Sequence, residues 1–179
     1  MSYEKNFIQS ALKRAIVSAI TFWLTMLDTQ SHADTGTSIM NVSATVRHSC
    51  SIDTTPMAFG TYDGVIANAS TTLNATATII STCTSGAAAQ ITMNAGAYEG
   101  SGSTDVPVRR MTAGASEYLV YQVYSDVTRE TVWGNTVPTG IVTNGTGSPQ
   151  THKVYGSIPS AQLVPEGDYS DQIIVTITY

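Results

Sequence analysis

Apolar and polar residues alternate with a period of two in nearly every segment beyond residue 34, and no stretch there sustains the 3.6-residue period of a helix. Side chains two apart share a face of a strand, so such a chain buries its apolar residues by building sheets. Met40, Val42, Ala44 and Val46 alternate with Asn41, Ser43, Thr45 and Arg47, which predicts a half-buried strand ahead of Cys50. At the other end a polar turn, Gly167 to Asp171, feeds a β-branched run in which Ile173, Val175, Ile177 and Tyr179 fall on one face. A strand this apolar needs a neighbour on each side and a sheet above it, yet the sequence after it supplies none. A strand lacking a neighbour is the expectation.

The segments between these ends also read as short strands parted by turns. Ile52 leads towards Pro56 to Gly60, where proline and glycine bracket a short strand or edge. Thr71 to Cys83 and Ala89 to Asn94 are strand-like, with the turn Thr84-Ser85-Gly86 between them. A glycine-rich loop spans Ala95 to Asp105 and precedes a short extended piece, Val108 to Thr112. Glu117 to Ser125 is the clearest central strand, with Tyr118, Val120, Gln122 and Tyr124 on one face, Leu119, Tyr121 and Val123 on the other, and both faces largely covered. Thr131 to Gly134 is short, Asn144 to Gly147 marks a loop, and Lys153 to Ile158 is a further strand. This pattern predicts an all-β Greek-key sandwich of immunoglobulin-like kind with almost no helix.

Lys5, Lys13 and Arg14 precede an apolar run from Ala15 to Leu27, and Ser31-His32-Ala33 offers the small-x-small pattern of a signal-peptidase site. The run is about 13 residues, shorter than the ~20 that a bilayer core requires. It reads as a secretory signal over residues 1–33, cleaved after Ala33, with no membrane span afterwards; an amphipathic helix at a domain edge is the alternative. Beyond it lie five basic residues against eleven acidic ones. Such a surface repels phosphate backbones, so nucleic acid is an unsuitable partner. Cys50 and Cys83 are the only cysteines. In an exported chain an even pair points to a disulfide, and the spacing fits neither zinc nor a CxxC redox motif.

Residues able to do catalysis are sparse. His32 leaves with the signal, while His48 and His152 stand alone without metal-ligand spacing and read as exposed strand residues. Asp168 and Asp171, beside Gly167, suggest solvated turn carboxylates rather than a metal site. Arg109-Arg110 is the one basic cluster, open to an anionic partner, though two arginines at a strand start are more often solvated or paired with nearby acids such as Glu117. Tyr118, Tyr121 and Tyr124 do not share a face and suit core packing better than a ligand platform. Four Asn-x-Ser/Thr sequons, at Asn41, Asn68, Asn74 and Asn144, are what a chain so rich in Ser and Thr produces by chance. No enzyme motif, cofactor or metal is expected.

Tyr121-Gln122-Val123-Tyr124-Ser125-Asp126, followed by Arg129 and Trp133-Gly134, resembles the spore coat protein U domain family, which includes subunits of archaic, Csu-type chaperone-usher pili. So do Val154-Tyr155-Gly156-Ser157-Ile158-Pro159, Gln162, the closing stretches Gly167 to Asp171 and Val175 to Tyr179, and the alternating segment before Cys50 with Phe59-Gly60 after it. The similarity covers essentially all of the chain beyond the signal.

That resemblance implies an immunoglobulin-like sandwich lacking its last strand, with an apolar groove beside the C-terminal strand. A periplasmic chaperone would fill the groove during export, and an outer-membrane usher would exchange it for the N-terminal segment of a neighbouring copy or related subunit. Strand addition of this kind draws affinity from backbone hydrogen bonds and specificity from alternate side chains. On this sequence the donor is expected in residues 34–46, with Met40, Val42 and Ala44 as plugs, and the body in residues 47–179. Ile173, Val175 and Ile177 are expected in the groove, with Tyr179 as chaperone anchor. Head-to-tail repetition would build a surface fibre for adhesion or biofilm formation. A secreted spore-coat component or a stand-alone binding sandwich is the alternative.

Overall fold

The computed structural model describes residues 33–114 and 116–179. The expected signal, apart from Ala33, lies outside the described residues. Residues 33–44 belong to a unit separate from the sandwich, which runs from Thr45 to Tyr179.

Among the described residues eight strands build the sandwich: β1 (Cys50–Thr54), β2 (Leu73–Cys83), β3 (Ala88–Met93), β4 (Arg109–Thr112), β5 (Tyr118–Tyr124), β6 (Ile141–Asn144), β7 (Gln150–Ile158) and β8 (Val175–Thr178). They form a five-stranded sheet in the order β1-β2-β7-β5-β4 and a three-stranded sheet in the order β6-β3-β8. Every named pairing is antiparallel. An immunoglobulin sandwich arranges its strands A-B-E-D in one sheet and C-F-G in the other. Here β1-β2-β7-β5 occupy the first four places and β3-β8 the places of C and F. Among the described residues no strand takes the place of G beside β8.

Alternation explains the faces. On β5, Leu119, Tyr121 and Val123 are buried while Tyr118, Val120, Gln122 and Tyr124 are half-buried. One face is therefore core and the other only partly covered, less burial on that side than expected. Trp133 is fully buried: its backbone N–H donates to the Val123 carbonyl and its indole N–H to the Ile91 carbonyl, at 3.0 and 2.9 Å. The next residue, Gly134, accepts from the Met93 N–H at 2.9 Å, so Trp133-Gly134 stitches one sheet to the other. A disulfide joins Cys50 to Cys83, which face each other across β1 and β2.

Several local expectations are corrected. Residues 40–46 form no strand and are fully exposed, because alternation alone does not hold a strand without a paired neighbour. Pro56 to Gly60 is irregular rather than a strand, though Met57 and Phe59 still point inward. Ile141–Asn144, assigned no strand by its sequence, is the edge strand β6, and a single 3₁₀ turn covers Val137–Thr139. The last strand is shorter than its apolar run: Ile173 and Ile174 lead into β8 without joining its ladder.

Candidate functional site

The two sheets meet at one end and gape at the other. Near the disulfide, Cys50, Cys83, Ala87, Ala89 and Ile177 form a closed apolar cluster. Away from it, a groove of about 330 Å³ opens between the segment Thr54 to Phe59 and the segment Tyr169 to Val175. Its floor is Ile79, Tyr121, Val123 and Val154 from the large sheet, with Met93 of β3 opposite. Among the described residues β1 pairs only with β2, and β8 only with β3. Two unpaired backbone edges therefore flank an apolar trough, the arrangement to which an added strand binds.

Local sequence builds the rims. Gly156 on β7 has no room for a Cβ, which would strike Met57 and meet the Phe59 ring at 2.8 Å. Its bareness lets the irregular rim lie flat on the sheet, where Phe59 packs edge-on to Tyr121 with ring centroids 6.1 Å apart. Beyond this rim the groove runs into a wider cleft of about 680 Å³, the two sharing Met57, Phe59, Met111 and Tyr169.

The opposite rim is held by polar contacts. The Tyr121 hydroxyl donates to Asp171 Oδ2 at 2.6 Å, and the Ala97 N–H donates to Asp171 Oδ1 at 2.8 Å. A Cβ on Gly96, whose φ is +88°, would collide with that carboxylate. Asn94 exchanges further bonds with Ile174: its N–H donates to the Ile174 carbonyl at 3.1 Å, and its Oδ1 accepts the Ile174 N–H at 2.8 Å. Ser170 and Thr112 exchange backbone bonds of 3.0 Å in each direction. Burial and the bond to Asp171 push the Tyr121 phenol well above its ordinary range.

Arg109 anchors this assembly. It is fully buried, and its Nε and Nη2 donate to the Asn94 carbonyl at 3.0 and 2.8 Å, Nη2 also to the Trp133 carbonyl at 2.7 Å, and Nη1 to Gln122 Oε1 at 2.7 Å. Desolvation lowers its pKa to about 10, with nearby Tyr121 and Asp171 acting the other way, so it stays charged at neutral pH. The expectation that Arg109 is solvated or paired with an acid such as Glu117 is thus overturned, because backbone carbonyls satisfy the guanidinium inside the sandwich. Arg110 does reach the surface, but lies over the Tyr118 ring at 4.1 Å and donates to the Tyr98 and Glu99 carbonyls. Asp171, expected in solvent, is instead clasped between β5 and the loop after β3. His152 is half-buried rather than exposed, with Nε2 2.9 Å from Ser81 Oγ.

Of the residues expected at the groove, Ile173 and Val175 line it. Ile177 packs at the closed end, and Tyr179 lies beyond it, 56% exposed. Met40 and Val42 are 86% and 87% exposed, and Ala44 is exposed too. Sequence reasoning missed Arg109, Asn94 and Gly96. Their partners lie on other strands, and only the glycine, standing at a positive φ, left a local sign. Among the described residues no group of three or more His, Cys, Asp or Glu stands close enough to hold a metal ion, and no helix is long and apolar enough to cross a membrane.

Comparison with known proteins agrees with this architecture. The chain is 38% identical over 178 residues to "Protein U" of Myxococcus xanthus, an alignment covering 95% of this chain and 99% of that protein. Among solved structures, it resembles a chain in the crystal structure of the CsuC-CsuE chaperone-tip adhesion subunit pre-assembly complex from archaic chaperone-usher Csu pili of Acinetobacter baumannii. The TM-score is 0.53 at 19% identity, over 75% of this chain and 40% of that one, so the likeness is one of fold, and this chain spans under half the length of its match. The spore coat protein U domain matches residues 36–176, a span that includes both cysteines, the groove and the clasp around Asp171. The chain belongs to the spore coat protein U domain family.

Proposed function

We propose that the chain is a structural, non-enzymatic subunit that polymerises by donor-strand exchange into a surface fibre. The observation that carries this reading is the apolar groove between two unpaired strand edges, where an immunoglobulin sandwich would place its last strand. A periplasmic chaperone fills the groove first, and an outer-membrane usher then exchanges it for residues 34–46 of the next copy. Met40, Val42 and Ala44 enter the groove against Ile173, Val175 and Ile177. The segment supports such a role: it is exposed, extended in pattern, and leaves Ile39, Met40, Val42 and Val46 uncovered, a state that coverage by a partner would relieve. Residues 1–33 direct export through the periplasm, residues 47–179 are the subunit body, and the fibre serves adhesion or biofilm formation at the cell surface.

The 38% identity to "Protein U" across nearly the whole chain favours a second reading, a component of a spore coat built from the same sandwich. Co-expression with and without a chaperone and usher separates the two. Fibres seen by electron microscopy only with both partners support the pilus. Stable secreted monomer in normal amounts without a chaperone contradicts it and favours the coat.

A further inference from the structure

We infer that the loop Asp63 to Ala69, together with Leu163, is a docking surface for the body of the next copy in the fibre; this rests on the donor-strand reading above. The loop is held rigidly yet presents apolar side chains to water: Val65 is 72% exposed, Ile66 81% and Leu163 78%. Asp63 Oδ1 accepts the N–H groups of Val65 and Ile66 at 2.9 and 3.0 Å. Asn68, buried beneath, accepts the Asp63 N–H at 3.1 Å and donates to the Thr71 carbonyl at 3.1 Å. Gly64 lies so close to the Gln162 carbonyl that a Cβ would collide with it. A loop so fixed, with its apolar side chains outward, marks a surface that a partner covers.

The position of the loop identifies the partner. Val65 and Leu163 line the wide cleft into which the groove opens. β8 runs from the groove towards the closed end. A strand added antiparallel to β8, the stabler pairing, therefore runs towards the wide cleft and leaves there. In the donor copy only Arg47, His48 and Ser49 separate Val46 from Cys50 at the start of β1. The four steps from Val46 to Cys50 span at most about 14 Å, so the donor's sandwich begins at this mouth, with its disulfide end towards Val65, Ile66 and Leu163. Charge agrees: Asp63, Glu166 and Asp168 line the cleft, and the incoming linker carries Arg47. Rim pairs of opposite sign favour this orientation over the reverse.

A photo-reactive benzoylphenylalanine at Ile66 tests the contact in the assembled, full-length chain, since a side chain this exposed tolerates replacement. Irradiation should convert polymer into covalent dimers whose cross-links map to residues 47–54 of the neighbour, and Arg47→Glu should reduce their yield. Polymer that forms with its donor segment in the groove but gives no such cross-link, or gives cross-links elsewhere, overturns the docking surface alone. Absence of polymer from the unsubstituted chain with its chaperone and usher overturns the donor-strand reading and this contact with it.

Discussion

Replacing Arg109 by leucine tests whether a buried cation, rather than apolar packing alone, sets the groove wall. The guanidinium donates to the carbonyls of Met93, Asn94 and Trp133 and to Gln122 Oε1. Hydrogen bonds from a charged donor contribute about 1.5–3 kcal/mol each net, and a buried acceptor left unpaired costs about 1–3 kcal/mol. The desolvation of the guanidinium, visible in its lowered pKa, offsets part of this in the native protein. The expected net loss is about 3–5 kcal/mol, as for breaking other buried charged networks. That is a large share of the ~5–15 kcal/mol that holds a domain together. The assay is urea unfolding followed by the fluorescence of Trp133, whose carbonyl Arg109 grips. Both proteins should carry an extra copy of residues 35–46 after Tyr179 on a Gly-Ser linker, so that the groove is filled in each. At a slope near ~2 kcal/mol per molar the midpoint should fall by about 2 M urea. Hydrogen exchange at Ile174 should rise with it, because Arg109 fixes Asn94 and Asn94 fixes Ile174. A midpoint within ~0.5 M of the parent would refute the reasoning.

Removing the disulfide by Cys50→Ser with Cys83→Ser should cost about 3.7 kcal/mol on the chain-entropy model for a separation of 33 residues, checked by thermal unfolding with and without reductant. Val175→Asp should abolish chaperone capture in a pull-down, because it sets an unpaired charge where the groove expects an apolar contact. Asp171→Asn removes the negative charge from the acceptor of the Tyr121 hydroxyl, and should lower stability by about 1–2 kcal/mol and speed exchange at the Ala97 amide. Burial depresses the pKa of His152 below its usual 6.5, so its contribution is present above that value and is lost as pH falls through the folded pKa. His152→Gln should flatten the fall in melting temperature below neutral pH.

Most of the architecture is legible because period-two patterning acts residue by residue. Leu119, Tyr121 and Val123 face the core as their alternation requires, and Thr71 to Cys83 delivers a long strand. Patterning fails where a strand depends on a partner. The segment around Met40 and Val42 alternates well and forms no strand, while Ile141–Asn144, two apolar residues followed by two polar ones, shows no alternation and forms one by pairing with β3. The polar frame of the site is less legible still. Arg109 and Asp171 look like surface residues in the sequence, and only the return of distant strands supplies the carbonyls and the phenol that take them inside. A groove beside the C-terminal strand is what the resemblance to the spore coat protein U domain family implies. The structure adds that it narrows to a closed end at Ile177 and the disulfide, and widens towards Tyr169 and Leu163.

The most direct measurement of the central claim is a cross-link between two distinguishable copies. Light and isotopically heavy chains, each with a photo-reactive residue at Val42, would be polymerised together with the chaperone and usher, irradiated and digested. Cross-links from position 42 of one copy to the stretch from Asp171 to Ile177 of another, in mixed light-heavy pairs, are the predicted result. Links confined to single copies, or reaching the neighbour anywhere but that groove, would contradict it.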